Sequence, residues 1–263
     1  MHGSYFPQHR RQPDWPRPGN ERPDTKERMK HATGQSESAP EKGARRKQGR
    51  PPSPLLDRER ITNTAMSLIR DSGADALTMG ALARALGVST PALYNHAASK
   101  LVILRWVEDR LMERIETGDF AGGDWFGALT TWATSYRTVM AENAPFIPTI
   151  ATMPVAGAPI TLTMYERVAA GLTACGWPDA AVVPVIVSVE SFVYGSAYDV
   201  DAPADIFDVK PDEQRHSPAF VRAVAAYGAN TDAESRRADE AFETGLASLL
   251  GGLAQRYDIA LPC

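Results

Sequence analysis

Cysteine is almost missing from this chain: Cys175 and Cys263 are the two among 263 residues, in neither a CxxC nor a Cys/His ligand spacing. That scarcity argues against a disulfide-stapled secreted scaffold and a structural zinc module, and it fits a reducing cytoplasm. Long apolar runs are also lacking. The first thirty residues alternate proline, arginine and polar groups, without the roughly 7 to 15 residue hydrophobic core of a secretory signal. No unbroken apolar run approaches the roughly 18 residues that span a bilayer. The expectation is a cytoplasmic protein with no membrane role.

What the chain does have is an uneven charge. Its net −4 conceals residues 1–56 with 12 basic and 6 acidic groups, residues 57–117 with eight of each, and residues 118–263 with 8 basic and 18 acidic groups. A basic end on an acidic body points to a polyanion met at one end, with a solubilising tail as the alternative. Residues 1–54 hold nine of the twenty prolines and few large aliphatic residues, too little apolar surface to offset the entropy of ordering them. A disordered extension is expected there. Arg45, Arg46, Lys47 and Arg50 crowd its last stretch, either as an arm along phosphates or a minor groove, or as a charged linker.

From Asp57 the pattern becomes helical, with Ile61, Ala65, Leu68 and Ile69 on one face and Gly73 at the end. Thr78 caps a second helix that turns Met79, Leu82, Ala83 and Leu86 inward and stops at Gly87. A third begins at Ser89 or Thr90, carries Pro91 in its first turn and runs about seven residues, to Ala97 or Ala98. Ser99 opens a fourth, with Leu101, Leu104, Val107 or Glu108, Leu111 and Ile115 at helical spacing, ending at Gly118. Two short helices joined through Gly87 and backed by a longer one make a helix-turn-helix.

The segment from Leu77 to Lys100 resembles the DNA-binding domain of TetR-family transcriptional regulators. It has the opening Thr78, Leu82-Ala83 four residues on, Leu86-Gly87-Val88, a short helix ending Leu93-Tyr94-Asn95-His96, and Lys100 four residues later. The resemblance spans residues 57–117. It assigns Tyr94, His96, Lys100 and Thr78 to phosphates of a double-stranded operator. On physical grounds Ser89 and Thr90 offer hydroxyls and N–H groups at a helix start. Pro91 and Ala92 suit a thymine methyl, and Asn95 is the side chain best equipped for a base edge. Tyr94 could instead pack between helices, His96 cap the helix, and Lys100 stay solvated. Gly80 stands where relatives often carry a long polar side chain, so one contact is missing.

Beyond Gly122-Gly123 helices are expected over residues 125–141, 146–153, 160–175, 179–197, 218–227 and 232–257, each break carrying Gly or Pro. Val182 to Tyr194 is β-branched enough for a strand, but no partner strand is visible and Pro184 fits a helix's first turn. The fold class is all-α: a basic extension over 1–54, a helix-turn-helix domain over 55–117, and a helical ligand-binding and dimerisation domain over 118–263. The resemblance implies a homodimer through the two long helices near the C-terminus.

Trp132, Tyr136, Met140, Phe146, Met153, Met164, Tyr165, Phe192 and Tyr198 supply large side chains for either a core or a cavity. In a cavity, Glu190 or Arg137 would be polar fixtures for a small apolar or aromatic effector. The acidic loop from Asp199 fails the calcium pattern, with Ala204 at its sixth place and Lys210 at its twelfth, and no metal or cofactor is expected. Only His96 and His216 fall in the folded part, and no nucleophile elbow, P-loop, dinucleotide fingerprint or zincin motif is present. The reading is a ligand-released repressor, not an enzyme. An effector-independent regulator or activator is the alternative, with an enzyme on the aromatic helices far behind.

Overall fold

The first four α-helices each open on a polar cap written in the sequence, at Asp57, Thr78, Ser89 and Ser99. The computed structural model describes residues 56–203, 205–230 and 237–262. Arg45, Arg46, Lys47 and Arg50, Ala204 of the acidic loop and the expected start of the last helix at 232 lie outside the described residues. Helix α1 (Arg58–Ser72) opens on Asp57, whose Oδ1 accepts the Arg60 N–H at 2.8 Å, and closes on Gly73 at φ 80°. Its stripe Ile61, Ala65 and Ile69 is wholly buried.

Helices α2 (Met79–Leu86) and α3 (Thr90–Tyr94) open on Thr78, whose Oγ1 accepts the Ala81 N–H at 3.0 Å, and on Ser89, whose Oγ accepts the Ala92 N–H at 3.3 Å. Each such cap contributes about 1 kcal/mol. Between them Gly87 is left-handed at φ 70°, ψ 29°, the conformation that favours glycine in this turn. Helix α3 ends at Tyr94, short of the expected Ala97 or Ala98. The N–H groups of His96 and Ala97 both return to the Leu93 carbonyl at 3.0 Å, which tightens and closes the turn. Helix α4 (Lys100–Met112) opens on Ser99. It also stops before the expected Gly118, because the N–H groups of Arg114 and Ile115 fold back onto the carbonyls of Leu111 and Met112.

The remaining helices are α5 (Trp125–Ala141), α6 (Ile147–Ile150), α7 (Pro159–Ala174), α8 (Asp179–Asp199), α9 (Pro218–Asn230) and α10 (Arg237–Tyr257). The stretch expected as one helix over 146–153 is a single α turn behind a 3-10 turn, Ala144–Phe146. Proline at 145 and again at 148 is tolerated only in first turns, so it splits the segment. Residues 182–194 are helical, as read, but Pro184 is interior to α8, not in its first turn. Pro178 sets the start of that helix, and Pro184 itself faces outward.

Helix α5 packs on α8, α8 on α10 and α7, and α4 bridges α1 and α7. One apolar cluster runs from Ile61 to Ala254, so the core continues past the sequence boundary near residue 117. Among the described residues, α8 has the length and apolar composition of a bilayer-crossing helix, but half of it is buried inside the chain.

Candidate DNA interface and effector cavity

The caps that shape α2 and α3 also set what they present. Thr78 and Ser89 stay exposed while their oxygens accept cap bonds, so each hydroxyl proton remains free to donate. Pro91, Tyr94, Asn95 and His96 are exposed, and Thr90 and Ala92 half-buried. Tyr94, at 49% exposure, does not pack between helices; Leu93, wholly buried, is the anchor. Lys100 is half-buried, and its Nζ donates to the Ala74 carbonyl at 3.2 Å. That bond ties the start of α4 to the turn after α1 and leaves the ammonium two further donors. Gly80 is exposed with open space where a side chain would stand.

In the C-terminal helices a cavity of about 230 Å³ is lined by Glu108 of α4, Ile150 of α6, Ala151, Met153 and Val155 after it, Tyr165 of α7, and Val187, Glu190, Ser191 and Tyr194 of α8. Its hydrogen-bonding centre is Glu190. The hydroxyls of Tyr165 and Tyr136 donate to Glu190 Oε1 at 2.6 and 3.2 Å, and the Tyr136 and Tyr194 hydroxyls lie 2.8 Å apart. Burial raises the Glu190 carboxyl above its ordinary value, and the two tyrosine bonds oppose the rise. The Tyr136 and Tyr165 phenols are pushed well up, by burial first and the Glu190 charge second.

Met153 and Tyr165 thus line the cavity, and Tyr136 reaches its polar centre from the core. Trp132, Met140, Phe146 and Met164 are buried core residues away from the lining. Phe192 stacks on Phe242 of α10 at 5.6 Å, and Tyr198 is half exposed. Arg137 is a clip to α10, bonding Asp239 at 2.7 Å beneath the Phe242 ring. Sequence reasoning missed Tyr194 and Glu108 as lining residues. The signal for Glu108 was visible: a carboxylate at the Leu104, Leu111 spacing of an apolar stripe.

Residues 61–105 match the model of the bacterial regulatory proteins of the tetR family, and residues 117–257 that of the tetracyclin repressor-like C-terminal domain. The chain belongs to the TetR family. It is a DNA-binding transcriptional regulator, and the family is one of regulators rather than enzymes. It is 27% identical to an HTH-type transcriptional regulator of Saccharopolyspora erythraea over 82% of this chain and 89% of that one. With the HTH-type transcriptional repressor DrrR1 of Streptomyces coeruleorubidus it shares 26% identity over 58% of this chain, a match spanning 56% of that repressor. A solved TetR variant from Acinetobacter baumannii AYE, in complex with minocycline, superposes with a TM-score of 0.56 at 26% identity, covering 77% of this chain and 99% of that one.

In this TetR-family chain, α4 joins the two halves by neighbouring carboxylates. Glu108 lines the cavity. Asp109, 3% exposed, accepts the N–H groups of Ile160 and Thr161 at the start of α7, at 3.0 and 3.2 Å, and faces Arg58 of α1 at 3.6 Å. Burial first, then the Asp109 charge, raises the Glu108 carboxyl to about 7, with Arg105 opposing and Glu190 adding to the rise. Because the folded state holds this proton more tightly than the unfolded chain, the contribution of Glu108 to stability is fully present below about pH 4.5 and is lost as pH climbs from there through about 7. Glu108→Gln should therefore stabilise the fold by roughly 2 kcal/mol at pH 8 and by little at pH 4. Thermal melts at the two pH values check this; equal gains at both would refute it.

Proposed function

We propose that this regulator is a homodimeric repressor, cytoplasmic, released from its operator when a small molecule enters the cavity between α4, α6, α7 and α8. One observation carries the reading: Glu108 and Asp109, adjacent on α4, face the cavity and the α1 and α7 tethers respectively. A ligand that shifts α4 at Glu108 also shifts Asp109, and with it α1 and the helix-turn-helix. A coupling of about 1 to 3 kcal/mol weakens DNA binding roughly 5 to 150-fold. The repressor DrrR1 and the minocycline-bound TetR variant support both halves of the reading by likeness.

In this assignment residues 55–117 read DNA and residues 118–263 bind ligand and dimerise. Thr78, Ser89, Thr90, Tyr94, His96 and Lys100 hold phosphates, Pro91 and Ala92 meet thymine methyls, Asn95 reads a base edge, and Arg45, Arg46, Lys47 and Arg50 extend the contact as an arm. Val183 of α8, 65% exposed, together with the exposed small residues Ala241 and Ser248 of α10, gives two protomers a shared helical face. A twofold pair then presents recognition helices about 34 Å apart. Selecting genomic fragments bound by the protein should yield a pseudo-palindrome with that spacing. On the selected fragment Tyr94→Ala should lose roughly 10 to 100-fold in affinity with its melting temperature unchanged. Failure to enrich any duplex at low ionic strength would overturn the reading.

A further inference from the structure

The cavity's lining carries two carboxylates and no basic side chain. Their situations differ. Glu190 has two tyrosine donors on Oε1, whereas among the described residues no donor bonds Glu108, which is 3% exposed with Oε2 wholly enclosed. A buried carboxylate oxygen without a donor costs on the order of 1 to 3 kcal/mol or more, so the site is incomplete as it stands. Among the described residues, the basic side chain whose charge acts on Glu108, Arg105, does not complete it. Arg105, one turn before Glu108 on α4, forms no ion pair with it, and its guanidinium lies against Gly157 in the loop before α7.

Two tyrosine rings, Tyr165 and Tyr194, also border the space. Aromatic faces together with carboxylates are the surroundings that attract an organic cation. The Glu108 oxygen asks in addition for an N–H on that cation. At about 230 Å³ the cavity is below the roughly 300 to 1,000 Å³ typical of drug-sized ligands, which favours a single ring or a short alkyl chain.

We infer that the effector of this regulator is a small protonated amine, its ammonium N–H donated to Glu108 and its apolar part set between Tyr165, Met153 and Val187. The inference rests on the cavity being the effector site. It also gives the ligand a direct hold on α4, since the new bond forms at the residue next to the Asp109 tether.

Titration calorimetry on the full-length protein with benzylamine and the neutral benzyl alcohol tests it. At pH 8 benzylamine should bind roughly tenfold or more tightly than the alcohol, the effect of one charge-assisted bond. Glu108→Gln should abolish that preference while melting no lower than the parent. Affinity for benzylamine should rise from pH 6 to pH 8 as Glu108 loses its proton under the charges of Asp109, Arg105 and Glu190, with Tyr165 and Tyr194 staying neutral across that range. Equal affinity for the two probes, or a preference that survives Glu108→Gln, overturns the amine inference. The cavity reading would still stand if Ser191→Trp, which fills the lining, removed the alcohol's binding. If neither probe binds, or if binding persists in Ser191→Trp, both readings fall.

Discussion

Asp109→Ala should unfold about 3 kcal/mol more readily than the parent and lose its response to ligand. The side chain is buried, accepts two N–H groups in the first turn of α7 and the Thr161 hydroxyl at 3.4 Å, and faces Arg58. Truncation leaves those donors without an acceptor at a helix start, where each orphaned group costs on the order of 1 to 3 kcal/mol and the lost negative charge up to about 1 more. For a chain of this size a melting temperature lower by roughly 6 to 12 °C follows. Asp109→Asn keeps one acceptor oxygen and should recover part of the loss. Identical melting of the Ala and Asn proteins would show that the α7 cap is not what Asp109 provides.

Gly118→Val should be at least as damaging, by about 3 to 4 kcal/mol. Gly118 links α4 to α5 at φ 70°, and a Cβ there would stand 2.6 Å from the Cα and 2.8 Å from the carbonyl carbon of Ala128, inside α5. The left-handed conformation costs a side chain about 1 to 2 kcal/mol, and overpacking against backbone adds about 1 to 3. Gly80→Ala makes a fitting control, since that site is open and helical; it should melt no lower than the parent. Denaturant titration separates the two, and a Gly118→Val protein within 1 kcal/mol of the parent would mean that α5 slides away freely.

The helix-turn-helix was legible because its determinants are local. Thr78, Ser89 and Ser99 accept bonds from N–H groups three residues on, and Gly87 takes the left-handed turn, all within the reach of sequence neighbours. The length of α3 was not legible, because it depends on two N–H groups sharing the Leu93 carbonyl. The place of Pro184 misled for a related reason: Pro178, six residues earlier, already sets the start of α8. In the C-terminal half, helix positions followed from Gly and Pro, but which large side chains border empty space did not. Trp132 and Tyr165 look alike in a sequence. Only the approach of α4, α7 and α8 separates a packed ring from a lining one and brings Glu108 toward Tyr194.

Helix α3 has five residues. At a rise of about 1.5 Å each it advances roughly 7.5 Å, the stacking height of two or three base pairs. A demand that short is met by chance many times along any chromosome, so one protomer alone could find no unique address. The genome-wide selectivity of this regulator must reside in how many such short words it reads at once, and any influence that disturbs their phasing erases the address without touching a single base contact.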